Sequence, residues 1–135
     1  SLLIVSLAGA ATRAVDIGKL EVDSRPELPG VVRFGIPLRN SGDIHFFPVV
    51  TLQLQGVTDP AYHRESQQGL GESRALMLPS MQRMMWVPLP QENLRPGRYR
   101  ATVLVDYGAQ TAARKEFTVD LADTTSPRPG AAQPG

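Results

Sequence analysis

The chain has no cysteine among its 135 residues. That absence removes structural disulfides, thiolate metal centres and cysteine nucleophiles together, while leaving the compartment open. Surplus charge is also missing: 14 Lys and Arg stand against 13 Asp and Glu, a net +1. A broad polyanion-binding face is therefore not expected, and no nucleic-acid partner with it. No apolar run is long enough for a transmembrane helix, so no membrane insertion is expected within the chain. No window carries a sustained 3.6-residue period; Ser66 to Met77 comes nearest, and Gly69 and Gly71 interrupt it. Neither a Walker sequence nor a Gly-x-Gly-x-x-Gly turn is present, Gly69-Leu70-Gly71 being only a loop, and no Gly-x-Ser-x-Gly elbow exists. These absences lead to the expectation of a non-enzymatic protein without cofactors.

What is there points to strands. Twelve prolines and twelve glycines are spread along the sequence, as many turns between short strands require. From Arg98 to Tyr107 the alternation is strict. Tyr99, Ala101, Val103, Val105 and Tyr107 share one face, and Arg100, Thr102, Leu104 and Asp106 the other. Tyr99 follows the Pro96-Gly97 turn and stands two residues before Ala101. In immunoglobulin-type sandwiches that spacing marks a tyrosine corner, with a cysteine in place of the alanine.

Further strands are expected over Ile17 to Asp23 (Leu20 and Val22 on one face) and Val31 to Arg39 (Val32, Phe34, Ile36 and Leu38 on one face). Pro37 inside the second implies an edge position or a bulge. Asn40-Ser41-Gly42-Asp43 reads as a turn of residues that tolerate positive φ. Ile44 to Gln55 follows, with Val50, Leu52 and Leu54 inward and Thr51, Gln53 and Gln55 outward. Gly56 to Glu72 reads as a long polar loop with one short strand. Ser73 to Leu78, Arg83 to Leu89 and Ala113 to Leu121 complete the set, the last with Phe117, Val119 and Leu121 inward. About seven strands at such spacing predict an all-β, Ig-like sandwich with Greek-key connections.

Residues 14–122 are expected to form that sandwich. Residues 1–13 have two open readings, a strand from a preceding domain or the remnant of a signal peptide; both favour an exported protein, periplasmic or at the cell surface. Residues 123–135, rich in Pro, Gly and Ala, read as a disordered tail or linker.

Three stretches between Val31 and Leu121 resemble a family of bacterial cell-envelope Ig-like domains. Asn40-Ser41-Gly42-Asp43-Ile44-His45 is similar to an N-x-G-N-x-H corner, with Asp43 replacing the usual Asn. Leu76-Met77-Leu78-Pro79-Ser80 before Arg83 is similar to a v-L-P-g-S-x-R step. Pro96-Gly97-Arg98-Tyr99 through Val103, Val105 and Tyr107-Gly108 is similar to the family's hairpin strand. Such domains often follow one similar to periplasmic pilus chaperones, in which case Leu2 to Leu7 would be that domain's last strand. The resemblance implies a fold and a setting. It carries no chaperone residue onto this chain, since those lie in the first domain.

Candidate chemistry is sparse. His45 and His63, near Asp43, Asp59 and Glu65, lack metal-ligand spacing and a third ligand, so no metal site is expected; His45 should pack at its corner and His63 sit in a loop. Asp59, Glu65 and Glu72 could in principle supply a carboxylate pair, but loop solvation accounts for them. Arg98, Arg100 and Arg114 either form a basic stripe or pair with Glu116 and Asp120. Met81, Met84, Met85 and Trp86 form an unusual cluster: a strand apolar on both faces is either covered or offers a sticky surface. The expected function is an interaction or structural module of the cell envelope. It would meet protein partners through Met84 and Trp86, or through Leu3 and Val5 by edge-strand pairing, including self-association. The other reading is a carbohydrate- or cell-wall-binding module using Trp86, Tyr62 and Tyr107.

Overall fold

A computed structural model describes residues 12–23, 30–90 and 94–121. The expectations for Leu3 and Val5, and for the tail, lie outside these residues. Among the described residues there are eight strands: β1 (Val15–Ile17), β2 (Glu21–Asp23), β3 (Val31–Asn40), β4 (Val49–Gly56), β5 (His63–Gln68), β6 (Gln82–Pro90), β7 (Gly97–Asp106) and β8 (Ala113–Leu121). They form two antiparallel sheets packed as an all-β sandwich. In the first, β3 is central, with β6 along one side and β1 and β2 along the other; the second has the order β5-β4-β7-β8. The chain passes between sheets after β3, β5 and β6, which is Greek-key connectivity.

The core follows from the alternation. Val32, Phe34, Ile36 and Leu38 of β3, Val50, Leu52 and Leu54 of β4, Met85, Val87 and Leu89 of β6, and Tyr99, Ala101, Val103 and Val105 of β7 are buried. Each large one stabilises the fold by about 1.5–3 kcal/mol relative to exposure.

The first strand is broken by a bulge. Ile17 pairs with Leu38 but Glu21 with Gly35, so residues 18–20 oppose only 36 and 37. The bulge explains how Pro37 occupies a central strand. Its carbonyl accepts from Gly18 N–H at 2.7 Å, so the missing Pro37 N–H also faces the bulge, where the ladder is already interrupted. Leu20 is turned into the core, whereas Val22, at the sheet margin, stays 38% exposed; the two were expected to be equivalent.

Proline also marks the opposite margin. Arg33 faces Pro88 and Val31 faces Pro90 without interruption of register. Neither proline can donate to β3, so both point their nitrogens out of the sheet, as on an edge strand. β6 is thus an edge, not a covered central strand.

Two side-chain bonds tie the sheet margins together. Ser66 Oγ of β5 donates to Pro88 O of β6 at 2.8 Å. Lys115 Nζ of β8 donates to Ile17 O of β1 at 2.9 Å.

Three local expectations are corrected. Residues 44–48 are not strand, and neither are 73–78; Phe46 and Met77 make a single bridge as the chain crosses between sheets. The turn after β3 uses no positive φ at Asn40 or Gly42; among the described non-glycine residues that conformation falls at Ser80 (φ 71°). Gly42 is there for space, since a Cβ would lie 2.2 Å from Thr12 O. Asn40 is wholly buried. Its Nδ2 donates to Ile44 O and Met77 O, its Oδ1 accepts from Gly42 N–H, and its backbone bonds Met81 and Ser80. It ties the end of β3 to both segments that cross between the sheets. His45 does not pack there but is exposed, and exposed His63 opens β5 instead of lying in a loop.

Candidate functional site

Three surfaces carry the polar and aromatic side chains that could act. The first is the end of the sandwich at the Pro96-Gly97 turn. Tyr99 is 2% exposed, and its hydroxyl donates to Arg95 O, four residues upstream, at 2.5 Å. This is the tyrosine corner expected from sequence. Burial, with a smaller contribution from Tyr62, pushes the phenol up from 10.0 to about 12. The Tyr62 hydroxyl accepts from Arg95 N–H at 3.1 Å. Arg95 lies 3.9 Å from the Tyr62 ring centroid and pairs with Asp59 at 3.3 Å, and Arg64 lies 5.1 Å from the same ring. The hollow there, of about 350 Å³, has that ion pair in its lining. Sequence reasoning missed this Asp59–Arg95–Tyr62 cluster because it joins residues 36 positions apart.

The second surface is the outer face of the first sheet. Met84 and Trp86 project there from β6, half-buried. The indole lies over Gly35, where a Cβ would come within 2.8 Å of the ring. Arg33 sits 4.6 Å from the Trp86 centroid and pairs with Asp23 at 2.6 Å. An apolar plate with a cation beside it faces outward. Met81 joins the core margin instead.

The third is the outer face of the second sheet. The registers align His63, Gln55, Arg100 and Thr118 in one row, Glu65, Gln53, Thr102 and Glu116 in the next, and Gln67, Thr51, Leu104 and Arg114 in the third. Arg98 pairs with Asp120 at 2.8 Å, and Arg114 with Glu116. The Asp120 hydrogen bond holds the Arg98 guanidinium pKa up, and its partner holds the Asp120 carboxyl down. The arginines are therefore not a stripe; Arg100 alone of the three lacks an acidic partner among the described residues.

The expected carboxylates do not converge. Asp59 serves Arg95, Glu65 accepts from Gln53 Nε2 at 3.2 Å, and Glu72 lies in a 3-10 turn over residues 71–73. Among the described residues no group of three or more His, Asp or Glu could hold a metal ion, and no helix is long and apolar enough to cross a membrane. Of the aromatics named for sugar stacking, Trp86 stays half-exposed on the outer face, whereas Tyr62 and Tyr107 are engaged by neighbouring side chains. Trp86 lies on Gly35, Tyr62 between two arginines, and Tyr107 packs edge-on to Phe46 with centroids 5.7 Å apart.

No protein-family model matches the sequence, and no curated protein does. Solved structures share the fold. A β-glucosidase of Streptomyces venezuelae, DesR, in complex with D-glucose superposes with TM-score 0.54 at 13% identity, over 81% of this chain and 15% of that one. A β-D-glucoside glucohydrolase of Trichoderma reesei gives 0.54 at 12% identity, over 82% and 19%. The chain spans less than a fifth of either protein's length.

Proposed function

We propose that this chain is a non-catalytic Ig-like module of an exported cell-envelope protein, similar to the second domain of pilus-chaperone-like proteins, and that it works by protein contact through the outer face of its first sheet. The observation that carries this reading is the half-buried Met84 and Trp86 plate beside Arg33, on the outer face of the first sheet. Aromatic, Met and Arg side chains are those enriched where proteins meet. The distribution of carboxylates supports the non-catalytic part: those near the hollows are held by arginine or glutamine, not paired with each other.

The test is site-specific photocrosslinking in the producing cell, with a photoreactive residue at position 84 or at position 102 on the opposite outer face. A discrete protein adduct from position 84 and none from 102 is the expected result. Equal labelling at both positions, or none at 84, would overturn the contact surface. Hydrolysis of an aryl β-glucoside by the purified chain would overturn the non-catalytic reading.

A further inference from the structure

The outer face of the second sheet is polar apart from Leu104, yet its side chains are not loose. Gln53 Nε2 donates to Glu65, Gln67 Nε2 to Thr51 Oγ1 at 3.1 Å, and Gln55 Nε2 to Pro60 O at 3.0 Å. Each amide nitrogen is thus anchored internally, which leaves three amide carbonyl oxygens and the second oxygen of Glu65 as acceptors on one surface. Arg100 and Thr102 bring donors to the same place. Two open hollows, of about 340 and 320 Å³, lie along β4 and β5 and share Glu65. Together they make a groove from the Gln55–His63 row to the Thr51–Gln67 row. Four residues of strand span about 13 Å, enough for more than one sugar ring.

We infer that this groove binds a neutral oligosaccharide lying along β4 and β5. Sugar hydroxyls both donate and accept, and adjacent pairs of them match the planar edges of amide, carboxylate and guanidinium groups. Charge in the lining is small: Glu65 stands against Arg64 and Arg100, and one surplus positive charge is a weak hold on a polyanion. The internal anchoring lowers the ordering cost that flexible glutamines would otherwise impose on binding. A protein partner is disfavoured here, since Leu104 is the one apolar side chain in the three rows and no aromatic anchor is present. This site is separate from the Trp86 face and does not depend on the contact reading.

The experiment is a titration of the ¹⁵N-labelled chain with cellohexaose and with laminarihexaose, followed by NMR, with oligogalacturonate as the acidic comparison. Saturable shifts of the Gln53, Gln55 and Gln67 side-chain amides with a neutral probe are expected. Gln53→Ala with Glu65→Ala should weaken binding about tenfold or more at unchanged melting temperature. No saturable shift with either neutral probe, shifts centred on Trp86, or tighter binding of oligogalacturonate would each overturn the inference.

Discussion

The two sheets of this sandwich solve the same packing problem with opposite regularity. The second is an unbroken ladder, with β4, β7 and β8 in constant register. The first has a bulge along one margin and carries Pro88 and Pro90, in unbroken register, along the other. Both inner faces supply the apolar core. Their outer faces differ: one presents Met84 and Trp86, the other glutamine and threonine. Irregularity thus goes with the apolar outer face, where prolines keep a sticky edge from extending into further pairing. The regular sheet needs no such guard over its polar face.

Asn40 joins the two regimes, and its replacement should have the largest effect. Asn40→Ala leaves the Ile44 and Met77 carbonyls and the Gly42 N–H without their side-chain partner, so a loss of about 3 kcal/mol is expected. Urea unfolding would measure it. A loss no greater than that of an exposed second-sheet residue such as Gln53→Ala, expected within about 0.5 kcal/mol, would show that the corner does not couple the sheets.

Next comes the regular sheet's own anchor. Tyr99→Phe should cost about 1 kcal/mol, the net value of one buried hydrogen bond. Because the folded phenol is raised from 10.0 to about 12, its neutral form is favoured in the fold. The resulting stability is complete below pH 10 and is lost as the pH rises through about 12. Melting temperature against pH should fall over that window in the parent and flatten in Tyr99→Phe. Parallel curves would dissociate Tyr99 from the alkaline loss.

The smallest effect on stability, but a qualitative one, is expected at the guarded margin. Replacing Pro88 and Pro90 by Thr restores two outward donors beside Met84 and Trp86. The monomer should melt nearly as before yet self-associate with rising concentration in sedimentation. A variant that stays monomeric throughout would remove the guarding role from the prolines.

Much of this was legible where the determinants are local. The Pro96-Gly97 turn, the Tyr99 spacing and the alternation of β7 lie within one run, and so does the inward face of β3. Pro37 announced either an edge or a bulge, and the bulge is what accommodates it. The reading failed where a pattern persists without a partner strand. Ile44 and Phe46 continue the alternation of β4, and Ala75 and Met77 alternate as a strand would, yet both segments run across the gap between sheets and share one bridge. The groove was half visible: Thr51, Gln53 and Gln55 were placed outward, but their neighbours Glu65, Gln67 and Arg100 depend on register between distant segments. The cluster around Tyr62 was hidden for the same reason.

The Lys115 tie has a mechanical consequence. Arg13 lies against Gly108, and further along Ile17 O meets Lys115, so β1 and β8 run side by side in the same direction. A pull along the chain from the start of β1 to the end of β8 would therefore load that margin lengthwise, sliding the two strands past each other instead of peeling one away. In such a geometry the β1–β3 and β7–β8 ladders are each loaded along the strand, with the lysine as a cross-tie. A domain strung in series with others would then yield under tension late and abruptly.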